Sequence, residues 1–304
     1  MSGKCYVFYV WVYISLVLLN KGKGYILHYS VTKKKYEKGH VTTALLLAAG
    51  IGSRLYPLTA TEPKCLTIVS GISILERMIS GLKKHGFKRL VIVTGYLENH
   101  IRDYLGDQAG EIKIEYIFSP LYNQTNNIYS LWMARKVINE PFLLLESDLV
   151  FDETLLGDML YPDRIAVAKM QPWMNGTFVT VDPVQQVKAI CPGCSDSNGD
   201  IKYKTVNMYS ISLHSWQGII KRLDEYISEG KVNEYYEVIF AEMISEGSLD
   251  FTVISFDRKP WYEIDTLEDL REAEKLFPMS NFESERAVAF SNPSLNMELS
   301  IAVK

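Results

Sequence analysis

Short apolar runs alternate with helically spaced apolar positions along most of this chain. Leu45-Leu46-Leu47 reads as a buried strand, and Ile74, Leu75, Met78, Ile79 and Leu82 then recur at the spacing of one helix face. Leu90-Val91-Ile92-Val93 is a β-branched run that predicts a second strand, ending at Thr94-Gly95-Tyr96. A short helix over 98–105, a strand over 113–118, a helix through Ile128, Leu131, Trp132 and Val137, and a strand at Phe142-Leu143-Leu144-Leu145 continue the alternation. Strand and helix taking turns in this way predict an α/β fold, Rossmann-like, with a mostly parallel doubly wound sheet whose strand ends gather on one rim.

Beyond residue 152 the pattern changes. Strands at 165–169, 177–181 and 203–211 are shorter and more polar and surround a loop at 191–200, which predicts a smaller, substrate-facing β subdomain. Two amphipathic helices near 215–229 and 234–246, a strand at 250–256 and a last helix from Leu267 to Phe277, capped by Thr266, follow. The expected organisation is one domain over 42–277, with halves at 42–152 and 153–277. It lies between an extension at 1–41 and a tail or linker at 278–304.

The extension carries an apolar stretch at 6–19, shorter than the ~18 residues of a spanning helix, and a Lys-rich flank with no small-residue cleavage site. Three readings stay open: a membrane-associating anchor, a segment packed on the domain, and a remnant of a winged-helix module, whose hairpin wing residues 24–34 resemble. For the rest of the 304 residues, a 47% hydrophobic content supports a substantial core. A net charge of −4 and a pI near 5.8 exclude a general nucleic-acid binder, for which a basic stripe is needed. The four cysteines make no disulfide framework, and the pair Cys191 and Cys194 cannot complete a zinc site alone. A cytoplasmic location is expected.

The chemistry is concentrated after the first strand, in Leu47-Ala48-Ala49-Gly50-Ile51-Gly52-Ser53-Arg54, with Glu62-Pro63-Lys64 following. Small residues let the backbone turn tightly and approach a ligand, and the amides this frees suit phosphate. Arg54 adds a planar donor fork and Lys64 a second cation. The dinucleotide fingerprint does not fit, because its third glycine would fall at Leu55. Opposite these cations, Glu146-Ser147-Asp148 ends a buried strand, and Tyr262-Glu263-Ile264-Asp265 places a second aspartate just before a helix. Mg²⁺ on a triphosphate takes one or two protein carboxylates, so Asp148 and Asp265 are its candidate ligands.

The pattern Ala-Ala-Gly-x-Gly-x-Arg-Leu with Pro-Lys downstream resembles the signature of nucleotidyltransferases that activate sugar phosphates and head-group phosphates. Asn126-Asn127-Ile128-Tyr129-Ser130-Leu131 and Tyr262-Glu263-Ile264-Asp265 resemble the CTP:phosphocholine cytidylyltransferases of bacteria. Pro172-Trp173-Met174-Asn175-Gly176-Thr177, Lys204-Thr205-Val206-Asn207-Met208-Tyr209 and Asn233-Glu234-Tyr235-Tyr236-Glu237 resemble the cytidylyltransferases of phosphonate metabolism, including those for 2-aminoethylphosphonate. The resemblance covers residues 42–277. It implies that the glycine turn, Gly95, Tyr96, Asn127 and Ser130 hold CTP, and that Arg54 and Lys64 neutralise its phosphates. Lys169, Trp173, Tyr235, Tyr236, Glu237 and Glu263 are the candidate acceptor contacts, since aromatic and acidic groups suit an ammonium. A phosphate or phosphonate acceptor is already ionised near neutral pH, which accounts for the lack of any Ser-His or Cys-His constellation. A sugar-1-phosphate nucleotidyltransferase and a nucleotide-binding, membrane-tethered regulatory module remain the alternative readings.

Overall fold

The computed structural model describes residues 15–20, 23–28, 40–171, 174–193 and 201–278. Residues 6–14, Trp173, Cys194 and the tail from 279 onward lie outside them. The chain divides into two compact units, residues 1–38 and 39–304. In the first, β1 (Ser15–Asn20) and β2 (Lys23–His28) form an antiparallel hairpin with Leu16 opposite Leu27. Residues 15–19 of the apolar stretch at 6–19 therefore enter a strand. Among the described residues no helix is long and apolar enough to cross a membrane.

The second unit follows the alternation read from the sequence. It runs through β3 (Thr43–Ala48), β4 (Ile68–Val69), β5 (Ile72–Ser73), α1 (Ile74–Lys84), β6 (Arg89–Thr94), α2 (Glu98–Leu105), β7 (Gln108–Ala109), β8 (Ile112–Phe118) and α3 (Asn127–Ala134). After β9 (Phe142–Glu146) and β10 (Leu149–Phe151) come β11 (Arg164–Lys169), β12 (Phe178–Val181), β13 (Val187–Cys191) and β14 (Lys202–Ile211). The chain closes with α4 (Leu213–Ser228), α5 (Tyr236–Ser245), β15 (Thr252–Ser255), β16 (Trp261–Glu263) and α6 (Leu267–Leu276).

The central strands β9, β3, β6 and β8 are parallel, in that order. Their period of two sends alternate side chains into two cores. Leu45, Leu47, Val91, Val93, Phe142 and Leu144 pack under α3, α4 and α5 on one face. Ala44, Leu46, Leu90, Ile92, Leu143 and Leu145 pack under α1 and α2 on the other. Coverage on both faces is why these strands read as unbroken apolar runs. Trp216 of α4 meets Phe142 edge-on at 5.0 Å and donates its indole N–H to the Ile138 carbonyl, 3.0 Å away.

The smaller β subdomain continues the same sheet. The second half of β14 pairs antiparallel with β9, from Met208 opposite Leu145 to Ile211 opposite Phe142, its start pairs with β12, and β11 pairs with it from Tyr203 to Ser210. One ten-residue strand thus joins the two halves, and β13-β12-β14-β9-β3-β6-β8-β7 is continuous.

Candidate active site

Two parallel strands deliver the core of the site to one rim. β3 ends at Ala48, and Gly52 follows with φ +68° before a 3₁₀ turn at Ser53–Leu55. A Cβ on Gly52 would approach Lys64 Cβ and Thr59 Cγ2 to 3.2 Å in a backbone conformation that side chains disfavour, so glycine is required there on two counts. β9 ends beside it at Glu146, and Asp148 follows. Antiparallel pairing of β10 with β16 sets Leu149 opposite Glu263, and the Ile264 amide donates to the Asp148 carbonyl at 2.9 Å. This brings Asp265 next to Asp148. The Thr266–Asp269 capping box at the start of α6 holds it there, since the Asp269 carboxylate also accepts from the Asp265 amide at 3.1 Å.

Lys64 sits between the two aspartates, its Nζ donating at 2.7 Å to Asp148 Oδ2 and at 2.7 Å to Asp265 Oδ1. Arg54 donates to the same Asp265 oxygen at 2.8 Å, from a side chain that is largely exposed. Burial by itself would lower the Lys64 pKa, but the two carboxylates outweigh it and hold the ammonium above its usual value. Asp148 Oδ1 is buried and has no hydrogen-bond partner. Two carboxylates meeting at one cationic position, one with a lone oxygen to spare, form a hard-oxygen donor set that suits a divalent ion such as Mg²⁺.

A cleft of about 530 Å³ opens from this point. It is lined by Leu47, Ala49, Gly50, Gly52, Ser53, Arg54, Lys64, Asn127, Ser130, Asp148 and Asp265, together with Glu146, Glu237, Glu263, Lys204, Asn207 and Tyr235. Lys204 Nζ lies 3.0 Å from Glu263 Oε2, and Asn207 Nδ2 donates to Glu263 Oε1 at 3.1 Å. Asn127 Nδ2 donates to Glu146 Oε1 at 3.1 Å, while its Oδ1 accepts the Tyr236 amide at the start of α5. Burial, reinforced by the charges of Asp148 and Glu237, raises the Glu146 pKa well above the ordinary carboxylate range. Burial likewise raises that of Glu263, against the pull of Lys204, and lifts Glu237 to about 7.

Several expected contacts fall elsewhere. Ala48 turns to the opposite face of the sheet and packs into the core. Gly95 does not line the cleft: a Cβ there would reach 2.6 Å from both the Ala49 carbonyl oxygen and Tyr122 Cβ, so its role is close packing behind the glycine turn. The Tyr96 hydroxyl donates to the Thr59 carbonyl at 2.9 Å and braces the segment before Lys64. Tyr236 is fully buried, edge-on to Tyr209 and tilted against Phe240, because it opens α5 on the helix face that meets the core. Lys169 is exposed on a neighbouring cavity of about 490 Å³. Trp173 lies outside the described residues.

Lys204, Asn207 and Glu146 are the site residues that sequence reasoning missed. The register of β14 against β11 slips between Ile165 and Val167, and Asn207 has φ +54° at the slip. This bulge turns Lys204 and Asn207 to the same wall although their parity in a regular strand is opposite. The available signal was a lysine and an asparagine inside one predicted strand.

Residues 43–180 match the nucleotidyl transferase family. A CMP-5'-(3-aminopropyl)phosphonate synthase of Streptomyces rubellomurinus is 30% identical over 243 residues, covering 77% of this chain and 38% of the relative. A choline-phosphate cytidylyltransferase of Streptococcus pneumoniae is 26% identical over 78% of this chain and 99% of its own length. The chain thus spans well under half of the first relative and nearly all of the second. Among solved structures, the CTP:phosphocholine cytidylyltransferase of Streptococcus pneumoniae superposes with a TM-score of 0.66 at 25% identity, over 78% of this chain and 98% of that one. A UDP-glucose pyrophosphorylase complexed with UDP-glucose shares the fold, with a TM-score of 0.64 at 14% identity over 80% of this chain and 99% of that one.

Proposed function

Since residues 43–180 match the nucleotidyl transferase family, we propose that the chain joins CMP from CTP to a small head group bearing a phosphate or phosphonate and a cation, such as 2-aminoethylphosphonate or phosphocholine. The observation that carries this reading is the mixed lining of the cleft. A glycine turn, Arg54 and Lys64 there suit polyphosphate, and Glu146, Glu237 and Glu263 line the same cleft. Glu263 is already paired with Lys204, which leaves Glu146 and Glu237 suited to an ammonium. The relatives that act on choline phosphate and aminopropylphosphonate support cytidine as the nucleotide.

In this mechanism an anionic oxygen of the acceptor attacks the α-phosphorus of CTP, the bond to the β-phosphate oxygen breaks, and pyrophosphate leaves with its electron pair. No general base is needed, because the attacking oxygen is ionised already. Amides of the 49–53 turn cradle the phosphates, while Lys64 and Arg54 neutralise charge on the leaving pyrophosphate. Lys64 has to leave the two aspartates to do so. Asp148 and Asp265 would hold Mg²⁺, which supplies Lewis-acid stabilisation of the charge that builds on the phosphate oxygens. Fixing both substrates in one cleft turns a bimolecular encounter into an oriented one.

The test is pyrophosphate release with each of the four nucleoside triphosphates against phosphocholine, 2-aminoethylphosphonate and sugar 1-phosphates. CTP with a cationic acceptor should give the highest kcat/KM. A sugar 1-phosphate that exceeds both cationic acceptors by about tenfold or more would overturn the acceptor reading.

A further inference from the structure

Of the three glutamates that line the cleft, one has a buried carboxyl oxygen with no hydrogen-bond partner. Both oxygens of Glu263 are taken, by Lys204 and Asn207, and Glu146 accepts from Asn127. Glu237 is only 4% exposed, lines the cleft, and has an Oε2 with no hydrogen-bond partner. A buried carboxyl oxygen in that state calls for a donor. Of the two tyrosines that precede it, Tyr236 is packed into the core and Tyr235 lines the cleft from a position more than half exposed.

We propose that Glu237 makes the site selective for acceptors with a primary ammonium, which donates an N–H to its free oxygen, over acceptors with a trimethylammonium. The proposal rests on the cationic-acceptor reading above. A primary ammonium carries three donors and can reach hydrogen-bond distance of the carboxyl. A trimethylammonium carries none, so its methyl groups would cover Oε2 and leave it unpaired, and it relies on aromatic walls for its attraction. Burial lifts Glu237 toward neutrality against the pull of Lys204, and a bound ammonium would add to that pull. Its place in the first turn of α5 fixes the carboxyl's direction, because the backbone there is tied through Asn127 to the rim of the nucleotide side.

The experiment measures kcat/KM with CTP for O-phosphoethanolamine and its mono-, di- and trimethylated forms, the last being phosphocholine. The expected result is a stepwise fall along the series, of about tenfold or more between its ends, as a site built around an N–H donor rejects analogues that lack one. E237Q should collapse that ratio to about threefold or less, with KM for CTP moving little, because an amide replaces the charge and half of the acceptor capacity. Equal or better turnover of phosphocholine by the wild type would overturn the proposal, whatever the variant does. A uniform loss across the series in E237Q would also overturn it, by giving Glu237 a structural role. If none of the four acceptors is used and a sugar 1-phosphate is, the cytidylyl-acceptor reading fails rather than the selectivity within it.

Discussion

Replacing Lys64 with methionine tests the centre of the site most directly. The ammonium is 2.7 Å from one oxygen of each aspartate, so those two oxygens lie at most twice that distance apart. Without the lysine, two like charges at roughly 5 Å repel by about 3 kcal/mol at an effective dielectric constant near 20. Breaking a buried pair costs about 3–5 kcal/mol in general. Asp265 keeps Arg54 and is partly open to solvent, which trims the loss to about 2–4 kcal/mol. For a unit of this size that corresponds to a fall in Tm of roughly 5–12 °C. The assay is thermal unfolding of K64M and wild type with and without Mg²⁺. The divalent ion should restore much of the loss in K64M, because it can take the place the ammonium held, and should raise the wild-type Tm less. A K64M Tm within about 2 °C of wild type, unmoved by Mg²⁺, would refute both the ion-pair energetics and the assignment of the two aspartates as metal ligands.

Asp148→Asn and Asp265→Asn should each lower kcat by about 100-fold or more in steady-state assays, with far-UV circular dichroism unchanged, since they remove charge at the reacting phosphates rather than apolar packing. Gly52→Ala should raise KM for CTP and cost about 1–2 kcal/mol in urea unfolding, because alanine disfavours φ +68° and its methyl would press on Lys64 and Thr59. Glu237 is raised to about 7, so the folded state holds its proton more tightly than the unfolded chain and loses stability as pH rises from about 4.5 to 7. E237Q should therefore gain about 1–3 kcal/mol over wild type at pH 8 relative to pH 5 in paired urea titrations, and an unchanged difference would count against a raised Glu237.

Most of the architecture follows from local pattern. Period 2 and period 3.6 are set by backbone geometry within a few residues, so the strand at 43–48, the helix at 74–84 and the cap at Thr266 were legible in the chain itself. The glycine turn, Arg54, Lys64 and the aspartates at two strand ends were legible for the same reason, since each announces itself by its immediate neighbours. Period 2 even contained the fate of Ala48, which faces away with Ala44 and Leu46. What no local pattern holds is pairing between distant segments. Only the ladder of β10 with β16 puts Asp265 within reach of a lysine 201 positions away, and only the register slip at Asn207 turns Lys204 to the cleft. Tyr235, Tyr236 and Glu237 are three consecutive polar or aromatic residues in the sequence, equivalent by composition. The start of α5 decides among them, exposing the first, burying the second in the core and setting the third into the wall of the cleft, because a helix faces its successive residues in different directions and the sheet beneath takes only one of them.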